Sequence, residues 1–384
     1  MQQQRRYDLD ALRAFAMFLG VVLHACTNFV PHYTPGDPQA ELVLARVTDV
    51  IHGFRMPLFF LVSGYFTALL WQRRGLGGVV RQRVERVLLP WLVALFTVLP
   101  ALEWGFTGGK RLAGVDAAPP AHGGFPLEPA AVNMGHLWFL WMLCHLVALF
   151  ALVVGVVRLL GPRLPGLTHP AVQGVAVLAL VALTVVTQFQ MPEAPFGPAF
   201  TDTFVMERLV VAYYAGFFGV GAFLYVPGGG MPTWLERLRP AWPVFAVAAV
   251  ACLVAGWSWE GTHTTASHAV QVAYAWLGIL ALVGLFHLLF SHGRGADPRV
   301  RWLSDASYWT YLIHFPAVLI LQGFLGGNDL PFWLTVPLVT LGALAISLVS
   351  YQYLVRYTAL GAFLNGWRSR ESSPTPRPAL ARTA

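Results

Sequence analysis

The sequence is poor in charge. Only 11% of its 384 residues are Asp, Glu, Lys or Arg, against about a quarter in ordinary soluble domains. It has three cysteines, Cys26, Cys144 and Cys252, scattered through apolar stretches. That spacing excludes a disulfide framework and a cysteine-rich metal site. The chain also lacks a Walker loop, a dinucleotide fingerprint, HExxH and Gly-x-Ser-x-Gly. Phosphate cradling by a P-loop, zincin hydrolysis and a nucleophile elbow therefore have no carrier. No Cys/His cluster suits a metal, so none is expected. No small-residue cleavage pattern follows the first apolar stretch, and no cleavable signal peptide is expected.

What fills the chain instead is apolar. It is 57% hydrophobic with 14 Trp and 37 Gly, and its mean hydropathy is +0.60. Trp suits the interfacial belts of a membrane protein, and Gly suits close helix packing in lipid. Ten apolar stretches read as spans: about 12–30, 51–71, 87–104, 136–157, 169–189, 209–226, 241–259, 268–290, 307–325 and 331–354. Each approaches the ~20 residues needed to cross a bilayer. Of the 25 Lys and Arg, 19 fall on the side of the termini, while Arg46, Lys110, Arg111 and Arg208 fall on the other. By the positive-inside rule both termini are cytoplasmic. That distribution also accounts for the net charge of +7 and leaves no patch for nucleic acid. The expectation is an all-α polytopic membrane protein of about ten transmembrane helices. Residues 1–366 would form one membrane domain, and the Pro/Ser/Arg-rich residues 367–384 a disordered cytoplasmic tail. The 105–135 loop, with three Gly-Gly or Pro-Pro pairs, reads as irregular and packed over the outer mouth.

Charged or titratable groups inside such spans are costly and are functional candidates by default. Arg13 and His24 stand eleven residues apart on the first span, close to three helical turns, so they share one face ~16 Å apart. Met17 and Gly20 lie on the same stripe, and Gly20 leaves room beside the imidazole. Topology puts Arg13 at the cytoplasmic edge and His24 past the midplane. His52, Arg55 and His136 fall near the outer edge, so with His24 they are expected to converge on one outer pocket. Interfacial anchoring is the plainer alternative for His52 and His136, snorkelling for Arg55, and a structural hydrogen bond for His24. Arg83 and Arg86, three apart at the start of span 3, would share a face near a helix N-terminus, which suits phosphates. Positive-inside topology explains them equally well. Ser63-Gly64 reads either as a small polar opening or as close helix packing. His314, counted from a span beginning at 307, should lie ~10 Å from the cytoplasm, in a stripe with Tyr308 and Tyr311.

Together these residues resemble the acyltransferase 3 family of integral-membrane O-acyltransferases. The matching elements are Arg13 to His24 as Arg-x10-His, Arg83 and Arg86 as Arg-x-x-Arg, Phe59 to Tyr65 as the Phe-rich Ser-Gly segment, and Ser307 to Pro316 as Ser-Tyr-x-x-Tyr-x-x-His-x-Pro. The resemblance implies a multi-pass protein of a bacterial inner membrane, with no permanently bound cofactor. It implies acyl-CoA (succinyl-CoA or acetyl-CoA) as co-substrate and an extracytoplasmic polysaccharide or glucan as acceptor. Beyond these and the lipid bilayer, a second copy in a homodimer is the remaining candidate partner. The implied site has His24 as general base, with Arg13, Arg55, His136 and His314 as further catalytic candidates. Arg83, Arg86 and Arg13 would hold the CoA phosphates, with its arm passing Ser63 and Gly64. Two competing readings are a secondary transporter using intramembrane Arg and His, and a lipid O-acyltransferase of another membrane fold.

Overall fold

The computed structural model describes residues 6–30, 33, 38–127, 132–160, 169–191, 196–226, 231–260, 264–291, 297–326, 328 and 330–366. The expected tail at 367–384 lies outside the described residues. In lipid, long apolar stretches can satisfy their backbone polar groups internally only as helices. The helices are α1 (Tyr7–Cys26), α2 (Pro38–Arg83), α3 (Leu89–Leu112), α4 (Trp138–Leu160), α5 (Pro170–Gln190) and α6 (Arg208–Phe223). They continue as α7 (Thr233–Leu238), α8 (Trp242–Trp259), α9 (Thr264–Phe290), α10 (Pro298–Leu325), α11 (Phe332–Ser350) and α12 (Ala359–Asn365). Among the described residues, eight helical runs are long and apolar enough to cross a membrane. One of these, Pro38–Leu112, is 75 residues long and takes in two of the expected spans. The shorter α6 takes in another, so every expected apolar stretch falls on a helix.

The long run is a hairpin. Arg83 Nη2 donates to Thr67 Oγ1 at 2.8 Å, whereas sixteen residues of straight helix would part them by ~24 Å. The chain reverses at Gly75, whose φ of 68° and ψ of 179° favour a residue without Cβ. The returning arm runs on through a π-helical segment, Val84–Leu88, followed by Pro90. Proline has no N–H to give the carbonyl four residues back. That carbonyl belongs to Arg86, and the Tyr308 hydroxyl donates to it at 3.2 Å.

Helix α1 is central, with α2, α9, α10 and α11 packed around it. Helix α5, in contrast, buries only Thr184, Thr187 and Gln188 and belongs to the rim. Gly108-Gly109, expected to open an irregular loop, lies inside α3. A Cβ at Gly109 would meet the backbone of α10, and one at Gly323 the backbone of Gly109. The two glycines exist for helix approach, as is common where helices associate in lipid. Gly64 is explained in the same way. A Cβ there would overlap the Phe218 carbonyl of α6, and a Cβ at Gly221 the Leu61 carbonyl of α2. Of the two readings of Ser63-Gly64, the structure shows the close packing, a crossing of α2 and α6. Ser63 beside it is half-buried, and its carbonyl accepts the Thr67 hydroxyl at 2.7 Å.

Because both contacts at this crossing are backbone, Gly64→Leu has no flexible group to displace. It should cost at least the ~1–3 kcal/mol typical of overpacking. The check is the yield of monodisperse protein after detergent extraction, which should fall several-fold; unchanged yield would mean that α2 and α6 are not so close.

Candidate active site

The site is built outward from the stripe Arg13, Met17, Gly20, His24 on α1. The His24 ring stacks on Phe315 with centroids 4.3 Å apart and lies 5.2 Å from the His314 ring. A helix end leaves carbonyls without partners, and here α10 and the following loop supply them. Gln322 Nε2 donates to Thr27 O at 2.8 Å and to His24 O at 3.3 Å, and Tyr33 donates to Ala25 O at 2.9 Å. The turn that carries His24 is thereby fixed to α10.

One turn earlier, the room left by Gly20 is filled by the Arg55 guanidinium. A Cβ at Gly20 would overlap Arg55 Nη1, and it would sit 3.9 Å from His314 Nε2. No carboxylate pairs with Arg55 among the described residues. Its Nε is buried without a hydrogen-bond partner among them. This is an uncompensated cation in the middle of the bundle.

Carbonyls only accept, so the partners of the neighbouring imidazoles set their tautomers. His314 Nδ1 donates to the carbonyls of Tyr311 at 2.8 Å and Thr310 at 3.0 Å. Its lone pair is then on Nε2, on the side of Gly20 and Arg55. His136 Nε2 donates to Leu312 O at 3.1 Å, leaving its lone pair on Nδ1. Both free nitrogens, and His24 Nδ1, are buried without a partner among the described residues. His52 differs. Its Nε2 donates to Pro198 O at 2.9 Å and ties down the 196–200 segment.

These groups line one cavity of about 800 Å³. Near the C-terminal end of α1 its walls carry Thr48, Asp49, Glu103, Lys110, Asn133 and Asp202. Asp49 is engaged with Arg46 at 3.2 Å and Trp257 at 2.9 Å. Toward the N-terminal end of α1, the last lining residues are Met17, Phe59, Phe139 and Tyr311. Arg13 is one turn beyond Met17, about 6 Å along the helix. It does not line this cavity; it lies 3.8 Å from Asp10 and stacks over Phe66. Among the described residues, no group of three or more His, Cys, Asp or Glu is arranged to hold a metal ion.

The cavity thus joins His24, His52, Arg55 and His136, as their depths suggest, and adds His314. The shallow position expected for His314 is wrong because α10 starts earlier than its apolar stretch. Asp297 accepts from Arg299 N at 2.7 Å and Pro298 follows it, so the helix begins at Pro298. His314 is then ~24 Å along the helix and level with His24. Arg83 and Arg86 do not share a face either. The π-helical segment between them changes the angle per residue. Arg83 turns to Thr67, while Arg86 Nη1 donates to Ala362 O and Phe363 O at 2.7 and 2.6 Å, the carbonyl end of α12. Nothing in the sequence spacing marks Gln322; its one signal is an amide inside an apolar span.

Comparison with known proteins bears on this arrangement. A family model described as Acyltransferase domain matches residues 6–352. Glucans biosynthesis protein C of Escherichia coli O157:H7 (strain EC4115 / EHEC) is 25% identical over 379 residues, covering 94% of this chain and 95% of that protein. The protein of the same name from Escherichia coli O139:H28 (strain E24377A / ETEC) is 25% identical over 382 residues with the same coverage. In the Escherichia coli (strain K12) protein of that name, a stretch of 93 residues reaches 40% identity, covering 24% of each chain. No solved structure matches the chain.

An unpaired buried cation costs stability unless a ligand compensates it. Arg55→Met should therefore keep or raise the melting temperature of the detergent-solubilised protein. A fall of several degrees would show instead that Arg55 is a structural partner.

Proposed function

The chain belongs to the acyltransferase 3 family and is a membrane acyltransferase, and from that premise we propose that it carries an acyl group across the membrane. The donor is cytosolic acyl-CoA, with succinyl or acetyl as the group moved. The acceptor is a hydroxyl of an extracytoplasmic carbohydrate such as a periplasmic glucan, in keeping with the names of the relatives. The setting is a bacterial inner membrane. The observation that carries the reading is the cavity in which His24, His314 and an unpaired Arg55 converge, with its floor one turn from Arg13.

In this reading Arg13 and Arg83 hold the CoA phosphates. Arg86, spent on α12, serves the fold. The thioester reaches the cavity past Met17 and along Tyr308 and Tyr311, which stack with centroids 6.4 Å apart on the face of α10 that ends at His314. His24 takes the proton of the acceptor hydroxyl, as an imidazole can near neutral pH. The hydroxyl oxygen bonds to the thioester carbonyl carbon. The carbon–sulfur bond then breaks, and the proton passes from His24 to the departing CoA sulfur. Arg55 faces the negative charge that develops on the carbonyl oxygen. With a succinyl group, the same cation suits the free carboxylate.

His24→Ala, at unchanged protein level, should lower acyl transfer at least ~100-fold, the lower bound usual for a general base. The readout is the mass of envelope carbohydrate from cells expressing each variant; wild-type acylation would exclude this base. Gly20→Ala tests the cation separately. It displaces only the flexible end of Arg55, so the protein should fold normally while transfer falls roughly 10-fold or more, part of the ~100–1,000-fold carried by one oxyanion donor. Arg83→Ala should leave the maximal rate near normal and raise the donor concentration required. An unaltered donor dependence would remove Arg83 from the CoA site.

A further inference from the structure

Pro316 lies inside α10, two residues after His314. An interior proline normally weakens a helix, because the carbonyl four residues back loses its donor. Here that carbonyl is Leu312 O, which accepts from His136 Nε2 at 3.1 Å. The His136 backbone is held to the same helix, its carbonyl accepting the Tyr311 hydroxyl at 2.7 Å. The His136 residue is therefore clamped at two points to one turn of α10, and its ring occupies the position left open by the proline.

We propose that Pro316 is a positioning residue: by withholding an N–H from Leu312, it fixes His136 as the Nε2–H tautomer and leaves Nδ1 as a hydrogen-bond acceptor in the cavity wall. The consequence concerns what the cavity binds. His314 Nε2 is an acceptor too, and the two rings are 5.2 Å apart. Neither free nitrogen has a donor among the described residues. Two neighbouring imidazoles with an unpartnered acceptor each favour a ligand that donates, which an alcohol hydroxyl does and a carboxylate or thioester does not. On the acyl-transfer reading, this pair is where the acceptor hydroxyl is held before His24 removes its proton. If Pro316 were replaced by a residue with an N–H, that N–H would compete for Leu312 O. The His136 ring would then be released to either tautomer.

The first test needs no turnover. Protein carrying ¹⁵N-histidine is reconstituted in lipid nanodiscs, and the His136 imidazole signals are assigned by their loss in His136→Gln. The wild type should show a protonated Nε2 and an unprotonated Nδ1. In Pro316→Ala both signals should move toward tautomer-averaged positions, with no loss of melting temperature, since an interior helical hydrogen bond is restored. Pro316→Gly restores the same N–H without a side chain and should behave alike. Unchanged His136 signals in both variants would overturn the proposal, whatever becomes of the acyl-transfer reading, which stands or falls with His24. The second test is a double-mutant cycle on acyl transfer. Pro316→Ala should lower the rate at least ~5-fold when His136 is present and less than about 1.5-fold in His136→Gln, the non-additivity of residues acting through one contact. An equal loss in both backgrounds would mean that the proline serves only the shape of α10.

Discussion

A guanidinium without a carboxylate is held in the centre of an apolar bundle, and the surrounding structure is arranged to keep it there. Arg55 rests in the notch left by Gly20. Its neighbours on α10 present a ring nitrogen lone pair to it rather than a negative charge. A buried ion normally finds a partner or is excluded by evolution from such a place. The four surrounding imidazoles differ in the same spirit. His52 is spent on a loop carbonyl, while His136 and His314 each use one nitrogen for a carbonyl and keep the other free.

The fold supplies this arrangement through features that carry a local cost. The interior proline at 316 strips a carbonyl of its helical donor, and the His136 side chain takes its place. Glycines at 64, 109, 221 and 323 let backbones touch where side chains would hold helices apart. A fully buried amide, Gln322, ties the end of α1 to α10. Each device fixes one part of the bundle against another. The two helices that bring His24 and His314 together are thereby tied to one another beside these rings.

Much of the site was legible before folding was considered. The stripe from Arg13 to His24 follows from helical period alone. The meeting of His24 with His52, Arg55 and His136 follows from depth, once the Lys/Arg asymmetry orients the spans. The failures have physical causes. His314 is deeper than its hydropathy suggests because α10 begins in a polar stretch capped by Asp297, which an apolar count ignores. Arg83 and Arg86 part company because a π-helical turn breaks the 3.6-residue period on which a shared face depends. Gly108-Gly109 reads as part of a loop yet serves a helix contact, and at Ser63-Gly64 the packing reading holds over the opening, because glycine frees space that a neighbouring backbone can occupy as readily as a ligand. Gln322 and the His136–Leu312 bond are tertiary pairings with no spacing to betray them.

The central claim is that one reaction path joins the two ends of the bundle, donor at the arginine end and acceptor at the histidine end. The most direct measurement uses sealed membranes with labelled acyl-CoA confined to the cytoplasmic face and an oligosaccharide acceptor confined to the other. The account predicts an ester on the far-side acceptor that requires His24 and does not form when the donor is offered only on the acceptor's face. Transfer that is independent of the donor's side, or movement of an unmodified solute without acyl-CoA, would contradict it.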